Sequence, residues 1–297
     1  MRNTILYGLM GVMLCMAGCG RVQQETANED GALQVSAPQL VSESGARPIM
    51  SPSGDMVLVH GASGLERVDT QTGERTLLSA VQDIDGDVVF SRDGNRIAYR
   101  KTRYIDHLRY YQLEEVDLRT GEVREKGEPT REREAFRFDG ESLYVAGETD
   151  LCRVPMVAVE EDELVVYTGT KRNVISPNGP NTYLWASISP DEQRIVYVAI
   201  YDVCHTYVCD LNGSNVVDLG YYIGAPTWYG NDWIIGQQDE DDGYQMTGSR
   251  LVAVRADGSG FQVLETPDQT MTINPGVGGN TIVYENEGKV YELTINE

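Results

Sequence analysis

The chain contains 297 residues, and its 46 Asp and Glu against 24 Lys and Arg give a formal net charge of −22 at pH 7. A protein this acidic repels phosphate backbones and anionic lipid headgroups, so the composition excludes nucleic acid as a partner. Contact with a membrane is expected only through a lipid anchor.

The first 19 residues have the features of a secretory signal. Arg2 is followed by an apolar stretch at residues 5–16, which is too short to span a bilayer as a stable helix. Small residues then lead directly to Cys19, in a pattern that resembles a bacterial lipobox. The resemblance implies cleavage before Cys19 and acylation of its thiol, which gives stable anchoring through more than one acyl chain. The alternative is an ordinary secretory signal that contains a cysteine.

Residues 20–32 are polar and predict a flexible tether. Gly20, rather than Asp, follows the cysteine, and by resemblance to enterobacterial lipoproteins this favours the outer membrane of the bacterial cell envelope. Residues 33–297 have a common size for a single all-β domain. The sequence thus predicts a signal peptide ending at Cys19, a tether and one folded domain.

A short turn phrase recurs along this domain. Its clearest copies are Ser-Pro-Ser-Gly at 51–54, Ser-Arg-Asp-Gly at 91–94 and Ser-Pro-Asp-Glu at 189–192. The third residues of six copies fall at positions 53, 93, 139, 191, 231 and 280, which are 40 to 52 residues apart. Periods of about 40–50 residues made of short strands indicate a β-propeller with one repeat per four-stranded blade. We therefore predict an all-β, six-bladed propeller of antiparallel blades.

Each repeat fits a meander of strands around its turn phrase. Second strands are predicted at residues 56–60, 96–100, 142–146, 194–199, 233–236 and 281–285. Third strands are predicted at residues 65–70, 113–118, 152–157, 206–211, 251–256 and 289–295. The last repeat ends without an outer strand, and residues 33–41 form an unused strand-like segment. We expect this N-terminal strand to close the ring, because closure removes open sheet edges.

These motifs carry a family resemblance. The turn phrase followed by an apolar strand, and then by Val-Asp-Leu-Arg-Thr-Gly at 116–121, resembles the WD40-like repeats of the TolB propeller. It is also similar to the propeller domain of dipeptidyl-peptidase-IV relatives. The resemblance covers residues 33–297 and implies the propeller fold. TolB carries an α/β domain before its propeller and the peptidases a hydrolase domain after theirs, and neither is expected here.

Two long connections stand out on one face of the predicted ring. Residues 101–112 are basic and aromatic, whereas residues 237–248 are acidic, and a six-fold ring places them on opposite sides of the channel mouth. Loops on a rigid scaffold concentrate binding residues, and tyrosine suits sugars and peptides. The predicted ligand-binding rim consists of Tyr104, His107, Tyr110, Tyr111, His205, Tyr221 and Tyr222.

Signals for catalysis and cofactors are weak. A Gly-x-Ser-x-Gly nucleophile elbow is missing from the sequence. His60, His107 and His205 all precede third strands, so a shared metal is conceivable, but their spacing matches no ligand pattern and we predict no metal or cofactor. Residues 83–87 carry alternating carboxylates that fail the EF-hand order and are interpreted as an acidic turn between blades.

Three cysteines remain in the folded domain, Cys152, Cys204 and Cys209. In an oxidising compartment they allow one disulfide at most, and buried free thiols are the alternative.

The sequence favours a non-catalytic binding or scaffold propeller of the cell envelope, which presents its Tyr-rich face to a protein or glycan. The alternative is a polysaccharide lyase or hydrolase-like enzyme that uses rim histidines and carboxylates. A third hypothesis is a structural subunit that assembles through its blade sides. The oligomeric state stays open.

Overall fold

The computed structural model describes residues 31–81, 83–160, 162–200, 204–264 and 270–296. Cys19, the predicted signal peptide and most of the predicted tether lie outside these residues. The regular structure within these ranges consists of 26 β-strands. It includes no helix that is long and apolar enough to cross a membrane.

The strands follow the predicted repeats in chain order. Two N-terminal strands are β1 (Gln34–Val35) and β2 (Gln39–Ser42). Blade 1 contains β3 (Ala46–Met50), β4 (Met56–Gly61), β5 (Gly64–Asp69) and β6 (Arg75–Ser79). Blade 2 contains β7 (Ile84–Phe90), β8 (Arg96–Ile105), β9 (Leu108–Asp117) and β10 (Val123–Thr130). The third repeat contains β11 (Phe136–Asp139), β12 (Ser142–Val145), β13 (Met156–Glu160), β14 (Glu163–Thr168) and β15 (Lys171–Ile175).

The second half of the chain continues the pattern. Blade 4 contains β16 (Tyr183–Ile188), β17 (Arg194–Ala199), β18 (His205–Asp210) and β19 (Val217–Asp218). Blade 5 contains β20 (Gly224–Tyr229), β21 (Trp233–Asp241), β22 (Met246–Arg255) and β23 (Gln262–Val263). Blade 6 contains β24 (Thr272–Gly278), β25 (Thr281–Asn286) and β26 (Lys289–Asn296). The predicted six-bladed propeller is confirmed, and blades 1, 2, 4 and 5 are four-stranded antiparallel sheets.

The third blade departs from the predicted layout. The expected third strand at 152–157 does not pair with β12; the repeat is divided into a two-stranded sheet, β11–β12, and a three-stranded sheet, β13–β14–β15. Strand β13 packs beside β16, as β16 packs beside β20, so it stands in the position of a first strand. Gly147, at φ 77°, lies within the intervening turn segment, and Pro155 near its end lacks a backbone donor. The 52-residue step between the third and fourth turn phrases provides the length for this division.

The predicted N-terminal segment lies along the outer side of the last strand. Gln34 and Val35 pair antiparallel with Asn296 and Ile295 of β26, and β2 pairs with residues of the same strand nearer its start. Val41 is 5% exposed and belongs to an apolar cluster that joins blade 6 to blade 1. The first described strands therefore complete the blade that the last strands begin.

The core lies between neighbouring blades. Second strands are buried on both faces because each is sandwiched between two sheets, and Leu58, Ile97 and Ile195 are fully buried. Burying a side chain of this size contributes about 1.5–3 kcal/mol. Cys152 and Cys209 are buried free thiols, which fits the alternative to a disulfide.

Candidate functional site

Five first strands share an irregularity at the face that carries the β8–β9 and β21–β22 connections. The register shifts near the start of β3, β7, β16, β20 and β24, as in a β-bulge. The residue with positive φ at each shift is Arg47, Gly86, Trp185, Ala225 or Asn274. We call these five residues the channel mouth, since first strands line the axis of a propeller.

A positive φ is uncommon for any residue with a Cβ and is an outlier for a bulky one. Arg47 and Trp185 both adopt φ 48°. Strained backbone of this kind costs about 1–3 kcal/mol and clusters at functional sites. The same positive-φ conformation recurs at five first strands around one opening, at four of them in a residue other than glycine, and this marks the channel mouth as a candidate site.

Hydrogen bonds connect the channel mouth across three blades. The backbone N–H of Arg47 donates to Oε2 of Glu285 at 3.1 Å, and Nδ2 of Asn274 donates to the same oxygen at 3.2 Å. The backbone N–H of Asn274 donates to Oε1 of Gln237 at 2.8 Å, and Nε2 of Gln237 donates to Oδ1 of Asp239 at 2.8 Å. Side chains of β21 and β25 thus hold the bulges of β3 and β24 in place.

Two carboxyl groups at this opening hold protons more tightly than usual. Asp87 is exposed to solvent, but its position within the opening desolvates the carboxyl enough to raise its pKa, while Arg100 and Arg47 act in the opposite direction. Burial likewise raises the pKa of Asp239, against hydrogen bonds from Ser249 and Gln237 that lower it. Both groups lie next to a bulge, at β7 and at the β20–β21 pair.

The predicted acidic turn at 83–87 is instead the beginning of β7, and its central carboxylate is buried. The side chain of Asp85 is 7% exposed and faces three guanidinium groups. Its Oδ1 lies 2.5 Å from Nη2 of Arg133 and 3.8 Å from Nη2 of Arg109, and its Oδ2 lies 3.9 Å from Nε of Arg100. We call Asp85 and these three arginines the arginine cluster.

Tyr111 supports the outer part of the arginine cluster. The guanidinium groups of Arg109 and Arg133 lie 5.5 Å and 5.4 Å from the centre of its ring, and Nε of Arg133 donates to its hydroxyl at 3.2 Å. Cation–π contacts of this kind hold a guanidinium plane in a fixed orientation. Tyr111 itself is buried, so it acts from beneath the surface.

The two long connections are extended hairpins rather than irregular loops. Strands β8 and β9 remain paired out to Ile105 and Leu108, with Asp106 and His107 at φ 50° and 65° in a tight turn. The exposed fraction is 65% for Tyr104, and Ile105 and Leu108 are exposed beside it. The β21–β22 hairpin ends in an exposed Tyr244 and Met246.

The structure brings four of the seven predicted rim residues together on one hairpin and places the other three elsewhere. Tyr104, His107 and Tyr110 lie on the β8–β9 hairpin, and Tyr111 lies at its base. Of the other three, Tyr222 lies beside the channel mouth, where the centre of its ring is 6.1 Å from that of Trp185.

The remaining two predicted residues have packing or ion-pair partners. Tyr221 stacks on Phe261 at 4.1 Å, against the apolar cluster between blades 4 and 5. Nδ1 of His205 lies 3.0 Å from both carboxylate oxygens of Asp218. Across the described ranges, no three or more His, Cys, Asp or Glu side chains are grouped so as to hold a metal ion.

Sequence reasoning missed Arg47, Trp185, Asn274 and Glu285. The sequence carries no sign that an arginine or a tryptophan within a strand adopts positive φ, because this conformation is imposed by the paired second strand. A usable signal was the position itself, since each bulge lies four or five residues before a turn phrase or its equivalent.

Comparisons with known proteins define the class as a propeller. No family model and no curated protein matches the chain. Among solved structures, TolB from Acinetobacter baumannii aligns with a TM-score of 0.56 and 14% identity over 82% of this chain, which spans 57% of the TolB chain.

Two further structures align with similar scores. The β-propeller domain of the Trilobed protease from Pyrococcus furiosus has an open velcro topology. It aligns with a TM-score of 0.53 and 12% identity, and the alignment covers 88% of this chain and 94% of that domain. A GH74 enzyme from Niastella koreensis aligns with a TM-score of 0.57 and 9% identity, and the alignment covers 86% of this chain and 53% of the enzyme's chain. At these identities the likeness shows the fold alone, which non-enzymes and enzymes share.

Proposed function

We propose that the protein is a non-catalytic binding module of the bacterial cell envelope, attached through a lipid on Cys19 and presenting its hairpin face to a protein or glycan. The observation that carries this proposal is the pair of hairpins on one face of a rigid ring, each ending in exposed aromatic and apolar side chains. Exposed aromatic residues on a rigid support are the usual anchors of interfaces.

The chemistry of the face supports a protein or glycan as the ligand. Tyr104 and Tyr244 offer flat apolar rings with polar ends, and the channel mouth between the hairpins offers Trp185 and charged groups. The fold shared with TolB supports placement in the envelope, and we infer an outer-membrane location from the residue that follows Cys19.

The proposal is tested by removing the apolar tip of the β8–β9 hairpin. A variant with Tyr104, Ile105 and Leu108 each changed to Ser should lose capture of the partner from the native envelope and keep its melting temperature. The matched control changes two exposed apolar residues on outer strands, Leu77→Ser in β6 and Val123→Ser in β10, and should capture normally. Equal capture by both variants would contradict the proposal.

The enzymatic alternative is favoured by one observation, the two carboxyl groups at the channel mouth with raised pKa values. Groups of this kind serve as general acids in glycan cleavage. Asp87 and Asp239 would then be the catalytic candidates. If the wild type releases reducing or unsaturated ends from a polysaccharide, and Asp87→Asn and Asp239→Asn do not, the enzymatic function replaces the binding function.

A further inference from the structure

We propose that the arginine cluster is a binding site for a single carboxylate group of the ligand, held by the guanidinium groups of Arg109 and Arg133. This inference rests on the proposed function and specifies its chemistry. Three guanidinium groups lie within 4 Å of one carboxylate oxygen or the other of Asp85. Asp87 offsets the charge of Arg100, the innermost of the three, so Arg109 and Arg133 are matched by the single carboxylate of Asp85.

Three guanidinium groups around one carboxylate are unusual in this molecule. The other ion-paired arginines described on blades 2 and 3 do not share a carboxylate with one another, as Arg124 with Glu122 and Arg172 with Glu160 illustrate. In a chain of net charge −22, an excess of arginine at one point is the place where an anion is attracted rather than repelled.

The two outer guanidinium groups are available to a ligand. The side chains of Arg109 and Arg133 are 46% and 58% exposed, whereas Asp85 is buried beneath them. Asp85 and Tyr111 fix the guanidinium planes from below, which leaves their outer N–H groups directed to solvent. Preoriented N–H donors of this kind bind a planar carboxylate through charge-assisted hydrogen bonds.

The adjoining pocket selects against polyanions. A cavity of 170 Å³ beside the cluster is lined by Arg100, Tyr111 and Lys126. Four carboxylates also line it, those of Glu128, Glu132, Glu134 and Glu148. These carboxylates repel a second negative charge, so the site favours one carboxylate attached to a neutral or cationic body. The cavity is large enough for a small side group next to that carboxylate.

The test uses N-benzoylglycine, which has one carboxylate, and its neutral amide as the probe pair. Binding to the full folded protein is followed by NMR shifts of residues in β7–β11. The carboxylate should bind saturably and the amide should not. Arg109→Gln and Arg133→Gln should each weaken binding about tenfold, the effect of losing one hydrogen bond between charged groups.

Arg124→Gln is the matched control, because it removes one exposed arginine from the same blade, and it should bind within about twofold of the wild type. Arg109→Gln keeps the test valid if Arg133→Gln fails to fold, since Arg109 is the more distant partner of Asp85. Equal binding of carboxylate and amide, retained affinity in Arg109→Gln, or equal loss in Arg124→Gln would overturn the inference. None of these results bears on the hairpin-tip capture test, so a failure here is distinguishable from a failure of the proposed function.

Discussion

At the residue scale, the recurring turn phrase owes its form to a buried serine. In blades 1, 2 and 4 the serine hydroxyl donates to a following aspartate, as Ser189 does to Oδ1 of Asp191 at 2.5 Å. The same hydroxyl accepts the backbone N–H that begins the second strand, from Arg194 at 2.9 Å. Ser51, Ser91 and Ser189 are each at most 1% exposed, so this hydroxyl replaces water as the partner of the strand N–H.

Ser189→Ala should destabilise the ring. The substitution leaves the part-buried N–H of Arg194 without its partner, which costs about 1–3 kcal/mol. For a domain of this size the melting temperature should fall by about 2–4 °C for each kcal/mol. Ser214→Ala, in an exposed turn of the same blade, is the control and should melt close to the wild type. Equal melting temperatures for both variants would show that the serine is not structural.

The aspartate of the phrase predicts a pH dependence. Hydrogen bonds from Ser91 and Asn95 lower the pKa of Asp93 from 3.8 to about 2 in the folded state. A depressed carboxyl pKa contributes stability that is fully present above 3.8 and is lost as the pH falls towards 2. Asp93→Asn should therefore melt below the wild type at neutral pH, and the gap should close near pH 2. A gap that is constant with pH would contradict this cause.

Sequence reasoning located these turns because their chemistry is local. Ser91, Asp93 and Gly94 lie within four positions, and their bonds depend on one another rather than on distant residues. Asp85 could not be placed in the same way, since its partners Arg109 and Arg133 are 24 and 48 residues away in the chain. Whether an Asp-rich run is an exposed turn or a buried ion cluster depends on which distant residues the fold places beside it.

At the element scale, the hydrophobic pattern and the turn phrases predicted the positions of the strands, but they did not always predict which strands pair. The predicted second strands match β4, β8, β12, β17, β21 and β25. The third repeat was misassigned because apolar runs such as residues 164–167, which lie in the middle strand of the sheet β13–β14–β15, fit any strand position of a blade. Pairing partners are set by tertiary contact, which the period-two pattern does not encode.

The β8–β9 hairpin gives an element-scale prediction. Residues 105–108 form the end of this hairpin, so replacing them with Asn-Gly, together with Tyr104→Ser, should leave the melting temperature unchanged within about 2 °C, because exposed segments contribute little to stability. The same variant should no longer capture the partner. Circular dichroism melting and co-purification from envelope extracts measure both. A loss of several degrees would show that the hairpin is a structural element instead.

At the scale of the whole molecule, the N-terminal strands and the last blade depend on each other. A protein that begins at residue 43 lacks β1 and β2, exposes the edge of β26 and loses Val41 from the cluster between blades 6 and 1. Its melting temperature should fall by at least about 5 °C. A protein that begins at residue 31 is the control and should melt like the longer chain. Equal stability of the two would mean that the ring does not need this closure.

The proposed anchor is testable separately. In a bacterial host, metabolic labelling with a palmitate analogue should mark the wild type and leave Cys19→Ser unlabelled, because the thiol is the attachment atom. Fractionation should place the labelled protein in the outer membrane. Label retained by Cys19→Ser would contradict acylation at this residue.

The proposed function requires the hairpin face to contact the partner. Site-specific photocrosslinking in the living envelope tests it most directly, with the photoreactive residue at position 104 on the β8–β9 hairpin or at position 92 in a turn on the opposite face. One discrete crosslinked partner is expected from position 104 and none from position 92, where Arg92 is also exposed. A partner crosslinked only from position 92, or equally from both positions, would contradict it.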